Sequence, residues 1–375
     1  MKVYFNQPYM AGNEKDFVID GTMTGHISGH GKYTRLCHQW FEKNYKIKKS
    51  LLTTSCSDAL EMAALLLEIQ SGDEVIMPSF TFVSTANAFV LRGAKIVFAD
   101  VREDIPIIDA DSLEELITEK TRAILPVHYA GIACEMNKIM DLAKKYKLHV
   151  VEDAAHAIHS TYGGKQLGTI GTLGTFSFHE TKNVICGEGG MIAVNDKKYE
   201  KRSEILWEKG TDRAAFHRGE VKKYQWVDVG SSYLPSDLIA AVLYGQLQKI
   251  EEIQKMRIAI WHKYYERLKP LEIEGKVKLP VIPDWATNNG HMFYLVTNTP
   301  AERDKLLKHL NKKGVMAVIH YLPLHSSKYY RNKYDGPKLP NTEMFSSCLL
   351  RLPFYNLLND EQIDYVVGQV RKFYQ

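Results

Sequence analysis

At 375 residues the chain is long enough for two or three units of ~150 residues each. Hydrophobic residues make up 45% and charged residues 25%, which excludes a disordered or collagen-like chain. The 48 basic and 44 acidic residues leave a net charge of +4 and are interspersed rather than clustered, so no nucleic-acid partner is expected.

No stretch approaches ~18 consecutive apolar residues, so no membrane span is expected. The start, MKVYFNQPYMAGNEKDF, has no basic region followed by an apolar one, and no secretory signal is read there. Five cysteines, Cys37, Cys56, Cys134, Cys186 and Cys348, are scattered and never form a CxxC pair. That usage fits a reduced, cytoplasmic protein with neither a disulfide framework nor a metal site.

In chain order, the first ~50 residues carry little periodicity and are expected to wrap a neighbour or cover a sheet. Ser57–Leu67 has Ala, Leu and Met at helical spacing. EVIMP (Glu74–Pro78) is extended, Val83–Leu91 is helical, and KIVFAD (Lys95–Asp100) is extended again. RAILPV (Arg122–Val127), a helix from Glu135 to Tyr146, and HVVEDA (His149–Ala154) repeat the alternation. Fully apolar runs separated by helices mark a mostly parallel sheet covered on both faces, which GTFSF (Gly174–Phe178) and MIAVN (Met191–Asn195) extend. One long helix is expected from Ser236 to Arg267, ended by Lys269-Pro270. HMFYLVT, a helix at Ala301–Lys313, VMAVIHY and a helix at Asp360–Phe373 then read as a small α+β unit. The expected division is residues 1–250, a large unit with an N-terminal arm, and residues 251–375, a small C-terminal unit.

Ligands of such sheets bind outside the carboxyl ends of the strands. Asp153 ends HVVEDA; it either caps the next turn or is a buried counter-ion to a cationic heterocycle. Lys182 follows GTFSF and precedes GEGG (Gly187–Gly190), glycines that permit close backbone approach to a ligand. A lysine desolvated there has a lowered pKa and attacks carbonyls. TTSCSDAL (Thr53–Leu60) puts hydroxyls at a helix start, which suits either an ordinary N-cap or a phosphate. Phe82 opens the next helix as a core residue or as a ring face for a planar cofactor. Together these are a phosphate cradle, a ring face, a counter-ion and a Schiff-base lysine, the set that pyridoxal 5′-phosphate (PLP) needs.

The segments TTSCSDALEMAALLL, GDEVIMPSFTFVSTANAFVLRGA, VEDAAHAI, GTFSFHETKN with GEGG, and IHYLPLH resemble the DegT/DnrJ/EryC1/StrS sugar-nucleotide aminotransferases, on the aspartate-aminotransferase-like fold type I scaffold. The resemblance runs from about residue 3 to the C-terminus. It implies that Lys182 is the lysine linked to PLP, that Asp153 partners the pyridine nitrogen, and that Phe82 stacks on the ring. It further implies that Ser57, Asp58 (through its backbone) and Ser177 hold the phosphate and that His156 lies beside the ring near its hydroxyl. Many members carry an Asn-Tyr-Arg triplet whose Asn completes the partner subunit's phosphate site. Ser232-Tyr233-Leu234 stands here instead, so Ser232 takes the place of that Asn. His320, Tyr321 and His325 in IHYLPLH fall where the C-terminal unit closes over substrate.

TSCSDALEMAALL, PVHYAGIACEM, FSFHETKN and VGSSYLPSDL are most similar to members that form a 4-amino-4,6-dideoxygalactose nucleotide. The substrates so implied are L-glutamate and dTDP-4-dehydro-6-deoxy-D-glucose, and the assembly implied is a homodimer with shared active sites. The same resemblance leaves open a 4-aminotransferase giving the gluco epimer and a 3-aminotransferase of a 3-keto sugar nucleotide. A related 3-dehydratase carries His in place of the lysine, which Lys182 argues against. A non-catalytic PLP-binding regulator would have lost the lysine, the aspartate or the hydroxyls, and all are present.

Overall fold

The computed structural model describes residues Met1–Gln375. Two helices precede the first strand, α1 (Glu14–Met23) and α2 (Lys32–Tyr45), where sequence analysis expects little regular structure. The cause of that difference is at the start of α2. Gly31 offers no side-chain cap, and the orphan amides of Tyr33 and Thr34 instead donate to the Asp237 carboxylate at 3.1 and 2.8 Å. The cap therefore comes from 203 or 204 residues away. Through Tyr33, Cys37 and Phe41, α2 buries its apolar face against Phe176 and Phe178.

The strands expected from apolar runs form one seven-stranded sheet. In chain order they are β1 (Lys49–Thr53), β2 (Glu74–Pro78), β3 (Lys95–Ala99), β4 (Thr121–Ile124) and β5 (His149–Asp153). A short hairpin, β6 (Thr161–Tyr162) and β7 (Lys165–Gln166), leads to β8 (Leu173–Ser177) and β9 (Gly190–Val194). The spatial order is β1-β9-β8-β5-β4-β2-β3. Only β9 runs against the others. Between the strands lie α3 (Cys56–Leu66), α4 (Val83–Val90) and α5 (Met136–Tyr146), and after β9 come α6 (Glu200–Trp207) and α7 (Arg213–His217).

Because β9 is antiparallel, its first residue sits at the edge where its neighbours end: Gly190 pairs with Ser177 and with Thr53. The loop carrying Lys182 and the glycines is thus held at the carboxyl edge of the sheet. A Cβ at Gly190 would lie 2.3 Å from the Ser55 carbonyl carbon, so only glycine lets the start of α3 approach this strand.

The long helix expected from Ser236 is two: α8 (Asp237–Gln248), capped by the Ser236 hydroxyl, and α9 (Ile250–Ile273), with a break at Lys249. α9 continues through Pro270, which lies in its last turn, where few bonds are left to lose. Beyond it, β10 (Val277–Lys278), β11 (Tyr294–Thr297) and β12 (Leu349–Arg351) form a second, antiparallel sheet. α10 (Pro300–Lys312), α11 (Pro340–Cys348) and α12 (Asp360–Tyr374) cover it, α10 capped by Thr299 and α12 by a capping box of Asn359 and Gln362. VMAVIHY forms no strand of its own and is held by single bridges, Val3 to Val315 and Val318 to Arg351. Val3 accordingly joins the core of Trp261, Leu306, Leu350 and Val366, tying the N-terminus to the second sheet. No helix is long and apolar enough to cross a membrane.

Candidate active site

The carboxyl ends of β1, β2, β5 and β8 converge on a cavity of about 610 Å³, roofed by residues from the C-terminal part of the chain. Asp153 and Lys182 both line it. Asp153, the last residue of β5, is only 5% exposed. Its carboxylate accepts from Thr85 Oγ1 at 2.8 Å and from the Ala155 amide at 3.1 Å, which leaves lone pairs directed at the cavity. On the other face of β5, Glu152 accepts from the amides of Gly168, Ile170 and Gly171 at 2.6–2.8 Å. His128 Nε2 donates a fourth bond to it at 3.0 Å, while His128 Nδ1 accepts from the Cys134 amide. Side chains alternate along a strand, so this buried anchor fixes the direction in which Asp153 points.

Lys182 is turned into the cavity by a bond from its amide to the His179 carbonyl, 2.9 Å. Burial pulls its ammonium down to a pKa of about 8. The neighbouring Cys56 and Asp153 oppose that shift and the Arg351 charge adds to it. An appreciable fraction of Lys182 is therefore a free amine near neutral pH.

At the opposite end of the chemistry, α3 opens onto the cavity with Ser55, Cys56 and Ser57. The Ser57 hydroxyl bonds Ser84 Oγ at 2.7 Å, and Ser177 and Thr181 add two more hydroxyls to the wall. The Asp58 amide is not free: it donates to the capping Ser55 Oγ at 3.1 Å, and Asp58 does not line the cavity. Phe82 is 56% exposed, its ring standing on the cavity wall 6.2 Å from that of Tyr321.

His156 stacks on His291 at 4.2 Å and contacts the Tyr321 hydroxyl through Nε2 at 3.3 Å. Burial holds His156, His291 and His320 well below the usual histidine pKa, so all three are neutral. His320 bonds the Tyr129 hydroxyl through Nδ1 at 2.6 Å and lies face to face with Tyr321. Tyr321 carries a φ of +28°, outside the regions open to most residues, a strain held by the surrounding contacts. His325 is elsewhere, bonded to Ser79 Oγ at 2.8 Å under Phe98 and Tyr334. Ser232 is exposed and bridged to Glu208, away from this chain's cavity.

The model of the DegT/DnrJ/EryC1/StrS aminotransferase family matches residues 9–371. The chain belongs to that family. It is a PLP-dependent sugar aminotransferase. An uncharacterized Methanocaldococcus jannaschii protein is 33% identical over 98% of this chain and 96% of its own length. Among solved structures, the aminotransferase TlmJ of Streptoalloteichus hindustanus superposes with a TM-score of 0.91 at 26% identity, covering 99% of this chain and 98% of that one. Helicobacter pylori PseC, an aminotransferase of pseudoaminic acid biosynthesis, gives 0.88 at 25% identity over 100% of this chain and 99% of its own. The PLP form of Spr1654, a candidate sugar aminotransferase of Streptococcus pneumoniae, gives 0.91 at 25% identity over 100% of this chain and 98% of its own.

The cavity suits that cofactor on its own terms. The exposed Phe82 ring offers a face to a planar heterocycle, the buried Asp153 carboxylate offers a counter-charge, and the hydroxyls at the start of α3 suit a phosphate. Several cavity residues escape the sequence reading, among them Thr85, Phe5, His291 and Arg351. Only Arg351 carries a signal, as a charge within the apolar run LLRLP.

Proposed function

We propose that the protein moves the amino group of L-glutamate to C4 of dTDP-4-dehydro-6-deoxy-D-glucose, giving dTDP-4-amino-4,6-dideoxy-D-galactose and 2-oxoglutarate. The observation that carries this reading is a single cavity in which a lysine amine of pKa about 8 lies beside a buried carboxylate, a hydroxyl cluster and an exposed ring. The choice of acceptor is supported by the likeness of TSCSDALEMAALL and VGSSYLPSDL to members forming the galacto product.

Bound PLP supplies the electron sink for the donor's α-carbon bond pair. Lys182 would be the residue that holds the cofactor and, as a free amine, the base that moves the donor's α-proton; a pKa about 8 suits both directions of transfer. Asp153 holds a proton on the ring nitrogen, and Thr85 and the Ala155 amide keep the carboxylate in place. Ser57 and Ser177 would hold the phosphate, Phe82 and His156 would flank the ring, and His320 and Tyr321 would meet the substrate, since all six line the cavity. Ser232 serves the cavity of a second copy, on a face where Trp226 is 81% exposed and Val227 and Val229 are each 51% exposed. The division into units at residues 1–250 and 251–375 is supported by the helix break at Lys249.

The test is the absorbance spectrum of the purified protein with PLP. Glutamate should move the cofactor band to the pyridoxamine position, and dTDP-4-dehydro-6-deoxy-D-glucose should restore it, with the product epimer identified from the same mixture. A band that glutamate shifts and this sugar fails to restore removes the acceptor; a gluco product removes the stereochemistry, and a 3-amino product the regiochemistry.

A further inference from the structure

Two consecutive residues outside the cavity, Tyr129 and Ala130, set the hydrogen-bonding direction of two that line it, His320 and Tyr321. Tyr129 is fully buried behind the wall, and its hydroxyl has a single hydrogen-bond partner, His320 Nδ1 at 2.6 Å. Burial keeps that phenol protonated and His320 neutral. A neutral imidazole carries one N–H, so two arrangements are open. If Nδ1 held the proton, the Tyr129 oxygen would accept it, and the hydroxyl's own proton would be sealed from water without an acceptor. Leaving a buried donor unpaired in that way is costly. If Nδ1 accepts instead, both groups are satisfied. His320 is then the Nε2–H tautomer, and Nε2, which meets no acceptor in the chain, is left to the cavity.

The same turn fixes the neighbour. Ala130 carries a φ of +56° and a ψ of 17°, a left-handed conformation that a β-carbon disfavours. It brings the Ala130 amide onto His156 Nδ1 at 3.3 Å. A backbone amide only donates, so neutral His156 is also the Nε2–H tautomer, and it gives that proton to the Tyr321 hydroxyl oxygen at 3.3 Å. The Tyr321 hydroxyl proton, like that on His320 Nε2, then finds no acceptor in the chain. The rings of His320 and Tyr321 have centroids 3.6 Å apart, so two neutral donors stand side by side on the cavity wall.

We propose that Tyr129 is a positioning residue for the acceptor sugar: its hydroxyl holds His320 in the tautomer that donates from Nε2 to an uncharged oxygen of the hexose. This rests on the keto-sugar half of the reading above. Neither donor carries a charge, so the pair offers no counter-charge to the carboxylates of an amino donor or to a diphosphate; it suits carbonyl and hydroxyl oxygens. Tyr129 acts only through His320, since it does not reach the cavity itself.

The test compares full-length, cofactor-loaded wild type, Tyr129→Phe, His320→Gln and the double variant. The two half-reactions are followed separately, the first against glutamate and the second against dTDP-4-dehydro-6-deoxy-D-glucose. Tyr129→Phe removes one oxygen and keeps the packing. It should raise the sugar concentration for half-saturation about 5- to 10-fold, with the glutamate dependence held within about threefold. On the His320→Gln background the same substitution should add nothing. Nitrogen-15 spectra of histidine-labelled protein, with His320 assigned from its Gln variant, should show a protonated Nε2 and a bare Nδ1 in wild type. Tyr129→Phe should give a mixture of the two tautomers. Equal loss in both halves, no loss, or a loss that persists without His320 overturns the proposal. So does a wild type whose His320 carries its proton on Nδ1, a result that decides the matter even if Tyr129→Phe does not fold. If wild type does not react with this sugar, the choice of acceptor fails on its own, and the spectra still decide whether Tyr129 sets His320.

Discussion

The depressed pKa of Lys182 makes a thermodynamic prediction that does not depend on turnover. Its ordinary value is 10.5, and burial in the fold brings it to about 8. Between those values the unfolded chain binds more protons than the folded one, so stability rises with pH. Below pH 8 the folded protein holds a buried ammonium at a cost; above 10.5 the amine is neutral in both states and the cost is gone. Replacing Lys182 with Met removes the titration. The difference in unfolding free energy between Lys182→Met and wild type should therefore shrink as pH rises, by about 2 kcal/mol between pH 8 and pH 10. Urea unfolding of the two cofactor-free proteins at half-unit pH intervals measures it, with other titrating groups cancelling in the difference. A difference that stays flat to within about 0.5 kcal/mol would refute the claim that Lys182 is buried beside the cavity. The same value leaves about a quarter of Lys182 as free amine at pH 7.5, against about a thousandth for an ordinary lysine.

Asp153→Asn keeps the Thr85 and Ala155 contacts within reach but removes the charge. The turnover number should fall about 10- to 1000-fold with the fold intact by circular dichroism, since one opposed charge is worth roughly 1–3 pKa units on the ring nitrogen. Unchanged turnover would remove Asp153 from the mechanism. Gly190→Ala puts a methyl group 2.3 Å from the Ser55 carbonyl carbon and should cost about 2 kcal/mol or more, seen in the urea midpoint; an unshifted midpoint would contradict the close approach. Trp226→Glu, at an 81% exposed tryptophan, should convert a dimer to monomer in sedimentation and lower activity with it; an unchanged sedimentation coefficient counts against that face as the subunit contact.

The sheet was legible because its strands are apolar on both faces and short, as in EVIMP and HVVED, and because each helix between them begins near a recognisable turn. What escaped is what depends on contacts far along the chain. α2 is capped by Asp237 rather than by a neighbour, so nothing local announces where it starts. The break at Lys249 is a single residue between two helices, with no glycine or proline beside it to announce it. In the cavity, Lys182 and Asp153 stood out because they end or follow strands of a doubly wound sheet. Arg351 and His291 come from the second sheet and its approaches, and no spacing in the sequence says that these elements close over the first. Asp58 shows the converse: its position at a helix start points to phosphate, yet its amide is taken by Ser55.

Glu152 has a consequence for how such a site can diversify. Four hydrogen bonds converge on its carboxylate from the turn at 168–171 and from His128. A change that reoriented Asp153 would have to break them together, so the floor of the cavity resists gradual alteration. The roof is tied more loosely: His320 and Tyr321 are held by single hydrogen bonds to Tyr129, His156 and Ser346, on a segment joined to the second sheet by isolated bridges. Substitutions and length changes there cost little of the floor's order. New acceptors can thus be tried at the roof while proton transfer below keeps its geometry, a separation of inheritance from invention within one pocket.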